Sequence, residues 1–374
     1  MGKLTPKEGS YRILAINPGS TSTKIAVFYS NELVFSKSIS HDAETLKQYG
    51  GVDDQLHYRK DMVEQALREN GIDLTDIDVF VGRGGGLVPI CGGTYVINEK
   101  LLEHARLGTA GKHPAQLAAQ ICELFSQQTG APAYVVNPPD VDEFDDISRL
   151  TGLSDVFRES RIHTLNQKEV AIRYCNEQNR DYHSSRLIVC HVGGGISVTA
   201  HCNGRMIDSN DIMNGDGPMT PTRSGALPAI AVIQMAYSGK YTEKQLKERI
   251  NKNGGFMDHL GTADAREVEA RIEKGDAYAK LVYDAMIYQI AKCIGAYACS
   301  LRGQVDAILL TGGMAHSEYL TGKLGEYICW IAPVEIRAGE FEMEALAAGV
   351  VRVLEGQETV LIYSGEPVWT GFNK

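Results

Sequence analysis

The sequence predicts an α/β protein made of two duplicated lobes around an interlobe cleft. One observation is a repeat: RILAINPGSTSTKIAVFYSNELV begins at Arg12, and a similar segment, RLIVCHVGGGISVTAHCNGRMI, begins 174 positions later at Arg186. A second pair, IDVFVGRGGGL around Asp78 and VDAILLTGGMA around Asp306, repeats at an offset of 228. Because each segment places a glycine turn after an apolar strand, both lobes offer backbone that can approach phosphate. The unequal offsets mean that the second lobe carries an insertion.

The first lobe begins with strands and continues into a helix. Residues 12–40 alternate apolar runs around a turn at 29–32, which predicts a hairpin and allows a third strand. Residues 61–69, DMVEQALRE, follow helical spacing. The short apolar strand 78–81 then leads into Arg83 and three glycines.

The second lobe repeats this order with additions. A long helix is expected over 277–301, interrupted by Gly295, before the strand 307–310. The insertion lies mainly within 214–276, where KYTEKQLKERINKNGG and ADAREVEARIEKG predict two exposed helices. The closing segment 344–354 is alanine-rich and helical, and we expect it to cross back to the first lobe.

Composition narrows the class of protein. With 374 residues, 43% of them hydrophobic and 22% charged, the chain is typical of a globular protein with two lobes that each close a core. A net charge of −10 argues against a nucleic-acid surface. No apolar run reaches the roughly 18 to 20 residues of a membrane span. Eight cysteines without a CxxC pair, and an N-terminus without a signal-peptide core, favour the cytoplasm.

Two glycine-containing turns are the candidate phosphate-binding elements. The first, NPGSTSTK from Asn17 to Lys24, offers hydroxyl and backbone donors but lacks the spacing of a Walker loop. The alternative interpretation is an ordinary polar hairpin turn in which Lys24 is solvated. The second runs from His191 through Gly193, Gly194 and Gly195, where the alternatives are a β-bulge and a structural histidine.

Charged residues in loops are the candidate catalytic groups. Arg83 and Arg223, the latter in TPTRSGALP, come from separate lobes and are expected to converge on one anion, since guanidinium forks suit carboxylate or phosphoryl oxygens. His163 precedes a helix. It either caps this helix or donates a hydrogen bond to a phosphoryl group. Magnesium needs only one or two carboxylates, so most acids of PPDVDEFDD and GEFEMEALAAG are solvated.

These motifs together resemble the acetokinase family of the acetate and sugar kinase/heat-shock chaperone/actin superfamily, most closely its butyrate kinases. The resemblance covers nearly the whole chain through INPGSTSTK, FVGRGGG, HTLNQKEVA, HVGGGISV, TPTRSGALP, LTGGMAHS and EALAAG. It implies actin-like, ribonuclease H-like lobes, each a mixed sheet flanked by helices. Residues 1–160 with 345–374 are expected to form the acyl-substrate lobe, and residues 161–344 the nucleotide-binding lobe.

The resemblance also implies roles for individual residues. The family's catalytic positions correspond to Asn17, Arg83, His163 and Arg223. We expect nucleotide binding by Lys24, His191, Gly193, Gly194, Gly195, Asp264, Arg266, Gly312 and Gly313. Glu344 matches the acid associated with magnesium. Butyrate kinases carry an aspartate where this chain has Asn137, so Asp140 or Asp142 takes that role or the role is weakened, and Asp142 is our predicted second ligand.

The implied activity is reversible transfer of the ATP γ-phosphoryl group to a short-chain carboxylate, giving an acyl phosphate and ADP with Mg²⁺. A carboxylate with a pKa of about 4.3 is already ionised and needs no general base, so the site must instead supply positive charge. The small residues 84–86 and Ile162 predict a deep pocket for butyrate or a branched short acid. The alternatives are an acetate or propionate kinase and an ATP-dependent switch protein. Family membership implies a dimer.

Overall fold

A computed structural model describes residues 9–109 and 111–372. The chain divides into two compact units, Met1–Asp142 with Phe341–Lys374, and Glu143–Glu340. The predicted lobe ranges include residues 1–8, 110 and 373–374, which lie outside the described residues.

The regular elements alternate strands and helices along each unit. The strands are β1 (Arg12–Pro18), β2 (Ser22–Tyr29), β3 (Glu32–Ser40), β4 (Val79–Gly82), β5 (Thr94–Val96), β6 (Ala133–Val136), β7 (Arg186–Val192), β8 (Ile196–Cys202), β9 (Arg205–Ser209), β10 (Ala307–Gly312), β11 (Val334–Ala338) and β12 (Leu361–Ile362). The α-helices are α1 (Ala43–Lys47), α2 (Leu56–Glu69), α3 (Glu99–Leu107), α4 (Leu117–Thr129), α5 (Asp146–Arg149), α6 (Thr164–Glu177), α7 (Ala229–Ala236), α8 (Glu243–Asn251), α9 (Phe256–Leu260), α10 (Ala265–Glu273), α11 (Ala277–Ser300), α12 (Glu318–Ile328) and α13 (Glu342–Leu354).

Each unit is built on one mixed sheet, and the two sheets share a strand order. Within the described residues the first sheet runs β12-β5-β6-β4-β1-β2-β3 and the second β11-β10-β7-β8-β9. In both, an antiparallel meander of three strands is extended by two strands parallel to its first member. The predicted duplicated α/β fold is therefore confirmed, with β5 and β12 as additions to the first unit.

The repeat extends to individual hydrogen bonds at the start of each sheet. The N–H of Arg12 donates to Asp78 Oδ2 at 2.8 Å, and the N–H of Asp78 donates to the Arg12 carbonyl at 2.9 Å. The same pair joins Arg186 and Asp306 at 2.7 and 2.8 Å. Both aspartates therefore fix the register between the first strand of a meander and the parallel strand beside it.

Helix α11 is continuous through Gly295, so the predicted interruption is wrong. Its buried face, which includes Tyr283, Met286 and Ile290, belongs to the core of the second unit. Burying several large side chains outweighs the cost of about 1 kcal/mol for one glycine in a helix. Although α11 has 24 residues, no helix in the described parts of the chain combines the length and apolar character that a membrane crossing requires.

The two helices expected in the insertion are α8 and α10, and the structure adds α7 and α9 beside them. Helix α8 has a capping box at Thr242 and Gln245, and each of its residues is at least partly exposed. Helix α13 returns to the first unit as expected, where Gly349 lies against β6 and accepts a hydrogen bond from Thr94 Oγ1 at 3.1 Å.

The boundary between the units lies at Asp142, earlier than the predicted boundary after residue 160. The N–H of Asp145 and the hydroxyl of Ser148 both donate to the carbonyl of Ile207 in β9, at 3.0 and 2.9 Å. Arg158 Nη1 binds Asp208 Oδ1 of the same strand at 2.7 Å. These bonds attach the segment to the edge of the second sheet, a pairing that no local sequence signal indicates.

Candidate active site

The first glycine turn joins β1 to β2, and the side chain of Arg59 binds its carbonyl oxygens. The Arg59 guanidinium donates to the carbonyl oxygens of Gly19, Ser22 and Ser20 at 2.9, 3.2 and 3.3 Å. In a trans peptide the N–H points opposite to the C=O. The N–H groups of Ser20 and Thr21 therefore point away from Arg59, and both residues are exposed. The turn presents donors on its solvent side, as an anion site requires.

Arg59 is a residue that our sequence reasoning missed. Its side chain is fully buried, and its remaining bonds go to Gln55 Oε1 and Thr23 Oγ1 at 3.0 and 3.1 Å. No carboxylate among the described residues hydrogen bonds to it, and burial lowers its pKa. A signal was present, because Arg59 precedes the buried Val63 and Leu67 of α2 by four and eight positions and so lies on the apolar face.

Asn17 and Arg83 are joined through one glutamate of the first unit. Asn17 Nδ2 donates to Glu342 Oε2 at 2.8 Å, and Arg83 Nη1 lies 3.1 Å from Glu342 Oε1. Both bonds go to Glu342, which stands two residues before the predicted metal ligand Glu344 in the first turn of α13. Lys24 pairs with Asn17 across β1 and β2, and it is exposed.

The glycines after Arg83 are required by close packing and backbone conformation. Gly84 has φ +71°, and a Cβ there would lie 2.5 Å from Val135 Cγ1. Gly86 has φ +74°, and a Cβ there would lie 3.3 Å from Gly108 Cα. The Val135 side chain and the Gly108 backbone already occupy these two positions, so Gly84 and Gly86 leave no volume there for an acyl chain. At Gly85 the nearest atom to a Cβ would be 3.6 Å away, and the expected deep acyl pocket stays a prediction.

The segment with Asn137 has a structural explanation. Asn137 adopts φ +40°, a conformation that asparagine tolerates better than most residues. Its Oδ1 accepts from the N–H of Gly93 at 2.8 Å. Asp142 is buried, and its N–H donates to the carbonyl of Ile90 at 2.8 Å. Across the described residues, no three His, Cys, Asp or Glu side chains cluster as a metal site.

The second glycine turn is a hairpin connection between β7 and β8 rather than a β-bulge. The N–H of Gly193 donates to the carbonyl of Gly195 at 3.0 Å, directly beyond the last strand pair. The loop TPTRSG folds over it, because Thr220 Oγ1 and Thr222 Oγ1 both donate to the carbonyl of Gly194, at 2.8 and 3.2 Å. The loop thereby places Arg223 directly against the turn.

Arg223 lies so close to the turn that only glycine fits beneath it. A Cβ at Gly195 would overlap Arg223 Nη1. This nitrogen is buried and finds no hydrogen-bond partner within the described residues. Burial lowers the pKa of Arg223, and the nearby charge of Asp211 opposes that shift. An unsatisfied buried donor of positive charge is rare in a folded protein and indicates a place for an anion.

Two histidines stand beside this arginine. His163 is the N-cap residue of α6, but its side chain makes no capping hydrogen bond, and its Nδ1 lies 2.9 Å from Ser197 Oγ. The His163 ring stacks on His191 with centroids 4.0 Å apart and planes 13° apart. His191 Nδ1 in turn lies 3.0 Å from Asn166 Nδ2. A Cβ at Gly195 would lie 3.3 Å from His163 Cε1, so the histidine and Arg223 meet at the same glycine.

A cavity of about 770 Å³ opens beside the turn in the second unit. Its lining combines four of the residues that we predicted for nucleotide binding: Gly194, Asp264, Arg266 and Gly313. Hydrogen bonds from the side chain and N–H of Arg266 hold the pKa of Asp264 at about 2. Gly312 has φ +91° and packs against the backbone of β7. The volume falls in the usual range for small-molecule sites, about 300 to 1,000 Å³.

Comparison with known proteins identifies relatives that align with nearly the whole chain. The acetokinase family matches residues 156–320. A probable butyrate kinase of Clostridium botulinum is 42% identical over 354 residues, covering 95% of this chain and 100% of the relative. Butyrate kinase 2 of Clostridium acetobutylicum is 44% identical, covering 94% and 99%. The solved structure of Porphyromonas gingivalis acetate kinase has a TM-score of 0.73 at 18% identity, covering 92% of this chain and 100% of that one, which shows a shared fold.

Proposed function

This chain belongs to the acetokinase family, and we propose that the acid it phosphorylates is butyrate or a branched acid of similar length. The enzyme is a short-chain fatty acid kinase, a phosphotransferase with a carboxyl group as acceptor. The observation that carries the choice of acid is full-length similarity to butyrate kinases at 42% and 44% identity. The acetate kinase similarity, at 18% identity, concerns the fold alone.

We propose that ATP and ADP bind in the cavity lined by Gly194, Asp264, Arg266 and Gly313. The size of the cavity and its position beside a glycine turn support this. The polyphosphate would lie along Gly193–Gly195, where the backbone can approach it closely. The buried Nη1 of Arg223 would then gain the acceptor that it lacks among the described residues.

The proposed reaction is direct transfer of the γ-phosphoryl group to the carboxylate, with an acyl phosphate and ADP as products. Since the acid is ionised, the barrier lies in bringing two anions together, and the protein must supply fixed donors. We assign donation to the phosphoryl group to Arg223 and His163. We assign the binding and positioning of the carboxylate substrate to Arg83 and Asn17. Glu342 orients these two side chains through its two oxygens. In-line displacement follows the general pattern of phosphoryl transfer.

Mg²⁺ would neutralise phosphate charge during this transfer. One or two carboxylates suffice to hold it together with phosphate and water, so a larger acidic cluster is not required. We propose that Glu344 or Glu342 of α13 supplies a carboxylate, with Asp142 as the second predicted ligand. The bonds of Glu342 to Asn17 and Arg83 favour Glu342 as the acid nearest the reacting groups. Glu342→Gln and Glu344→Gln, compared for the magnesium concentration at half-maximal rate, distinguish the two.

Trapping the acyl phosphate with hydroxylamine tests the choice of acid. Purified enzyme would be assayed with ATP, Mg²⁺ and each acid from acetate to hexanoate, including isobutyrate and isovalerate. We expect kcat/KM to rise from acetate to butyrate by up to about fourfold per methylene, from about 0.8 kcal/mol of burial for each. A maximum at acetate or propionate would support the alternative kinases. Omission of ATP is the control for chemical background.

We also propose a homodimer formed through helix α7. Ile230, Ile233 and Tyr237 on and beside this helix are 66%, 53% and 88% exposed, and Leu227 is 38% exposed. Such an exposed apolar surface is typical of a contact between subunits. Light scattering of the wild type should give twice the chain mass, and Ile230→Lys should give the chain mass. A monomeric wild type would contradict the proposal.

A reducing cytoplasm is the proposed location. The cysteines at 91, 122, 175, 190, 202, 293, 299 and 329 are free thiols. Burial raises the pKa of the Cys122 and Cys190 thiols, which keeps them protonated and unreactive. A native disulfide in protein taken from its own cells would contradict this location.

A further inference from the structure

Ser197 in β8 is the centre of a buried hydrogen-bond chain that reaches His163. The side-chain nitrogen Gln167 Nε2 lies 3.0 Å from the carbonyl oxygen of Ser197 and 2.8 Å from its Oγ. A carbonyl oxygen can only accept, so the part of Gln167 that faces it must be the NH₂ group. Gln167 therefore donates to both oxygens of Ser197.

The orientation of Gln167 fixes the protonation of His201 at its other end. Its Oε1 lies 3.1 Å from His201 Nε2, which must carry a proton because an amide oxygen only accepts. His201 Nδ1 then accepts from the hydroxyl of Tyr182 at 2.9 Å. Burial, with the nearby charge of Lys168, lowers the pKa of His201 to about 3, so this ring carries one proton. The direction of each hydrogen bond from Tyr182 through His201 and Gln167 to Ser197 is therefore determined.

The last bond of the chain assigns the proton of His163. Ser197 Oγ accepts from Gln167, and its own hydrogen has one acceptor within the described residues, His163 Nδ1 at 2.9 Å. We infer that Gln167 and Ser197 hold His163 in the tautomer with its proton on Nε2, and that Gln167 is a positioning residue for phosphoryl transfer. This inference deepens the proposed function, because it rests on the role of His163 as donor to the phosphoryl group.

The tautomer matters because the group transferred is an anion. With the proton on Nε2, a neutral His163 offers a hydrogen-bond donor on the side opposite Ser197. With the proton on Nδ1, the same position offers a lone pair, which repels phosphoryl oxygens. A ring in the wrong tautomer can occupy the correct place and still fail in catalysis. Because of this hydrogen-bond chain, His163 can donate to the phosphoryl group without being positively charged.

Nitrogen NMR of the whole enzyme tests the inference directly. The protein would be labelled with ¹⁵N in its histidines, and His163→Gln would identify the signals of His163. At a pH of about 8, where an ordinary histidine is neutral, the protonated ring nitrogen resonates well upfield of the bare one. We expect Nε2 of His163 to be the protonated nitrogen and Nδ1 to be bare. The opposite pattern would overturn the inference.

Two variants connect the tautomer to the rate. Ser197→Ala removes the donor to Nδ1, and Gln167→Met removes the group that orients the serine. Each should give His163 a detectable fraction of the Nδ1–H form and lower kcat by about tenfold, the order expected for residues that orient a functional histidine. The KM values for ATP and acid should change less than about twofold, since binding contacts remain.

Thr199→Val is the matched control. Thr199 is a buried hydroxyl residue two positions along the same strand, and its Oγ1 pairs with Ser209 Oγ at 2.9 Å. This variant should leave both the His163 signals and kcat unchanged. If Ser197→Ala and Gln167→Met also leave them unchanged, the inference is wrong.

The two proposals fail separately in these experiments. If His163→Gln retains the wild-type kcat, the assigned role of His163 in transfer is wrong, although NMR can still establish the tautomer. If His163→Gln loses activity but the wild type carries its proton on Nδ1, the role stands and the positioning chain is wrong.

Discussion

Arg223 favours the binding of an anion, but it destabilises the protein when no anion is bound. Its buried Nη1 lacks a partner within the described residues, and its pKa is lowered by burial. We predict that Arg223→Met lowers kcat by at least about a hundredfold, as for loss of one preorganised donor. In the same variant the melting temperature without ligands should equal or exceed that of the wild type, because an uncompensated cation has been removed.

The matched control is Arg158→Met, which removes an arginine of the same unit that has partners. Arg158 binds Asp208 at 2.7 Å and the Ser209 carbonyl at 2.5 Å. Its loss should lower the free energy of unfolding by about 2 kcal/mol or more. A fall of similar size in Arg223→Met would contradict the interpretation of Arg223 as an unsatisfied charge.

Gly195 offers a second prediction at the residue scale. Gly195→Ala places a methyl group where Arg223 Nη1 and His163 Cε1 now lie. The guanidinium is the flexible end of a long side chain, so it should move while the fold persists. A displacement of about 1 Å at reacting groups can cost about a hundredfold in rate. We therefore expect kcat to fall by that order with little change in melting temperature; an unchanged kcat would contradict the prediction.

Sequence reasoning located residues with distinctive chemistry and missed those whose importance is geometric. Arg83 and Arg223 stand out because they lie in loops beside glycines. Glu342 and Glu344 are equivalent in sequence, and only the direction of each side chain on α13 distinguishes them. Arg59 sits inside a helix and reaches the turn of Gly19 from 40 positions away. Such contacts depend on how elements pack, which local patterns do not specify.

At the scale of elements, two helical glycines should respond oppositely to alanine. Gly295 in α11 has open space where a Cβ would lie, so Gly295→Ala should stabilise the protein by about 0.5 to 1 kcal/mol. Gly349 in α13 lies against β6, and a Cβ there would lie 2.5 Å from Val136 Cγ1. Gly349→Ala should destabilise by about 1 to 3 kcal/mol. Urea unfolding of both variants measures the two signs, and stabilisation by Gly349→Ala would contradict the packing of α13.

The same helices show where periodicity is informative. Spacing and composition indicated helices at the positions of α2, α8, α10, α11 and α13. They did not indicate α7, whose sequence AIAVIQMA is apolar at every position except Gln234 and so has no clear polar and apolar faces. The break expected at Gly295 was wrong because the cost of a single glycine is small against the burial of Tyr283 and its neighbours.

At the scale of the whole molecule, duplication made most of the fold predictable. Repeated strands with the same order of turns imply two sheets of the same kind. The matching hydrogen bonds of Asp78 to Arg12 and of Asp306 to Arg186 show that the two sheets also share the register of these strands. The boundary at Asp142 was not predictable, because the attachment of Ser148 to β9 is a long-range bond. A sequence repeat therefore does not specify where insertions lie or which segments pair with the edge of a sheet.

Acid should destabilise both units through buried neutral histidines. Burial, with the charge of Arg59, lowers the pKa of His41 to about 4 in the first unit, and burial with Lys168 lowers that of His201 to about 3 in the second. An unfolded histidine titrates near 6.5, so below that pH the unfolded chain binds protons that the folded chain refuses. The stabilising contribution is complete above about pH 6.5 and is lost as pH falls towards these folded values, by up to about 1.4 kcal/mol per pH unit for the fully buried His201. Urea unfolding between about pH 7 and pH 5 should show this loss, and His201→Gln should reduce the slope. A slope that His201→Gln leaves unchanged would show that this ring is not a source of the acid sensitivity.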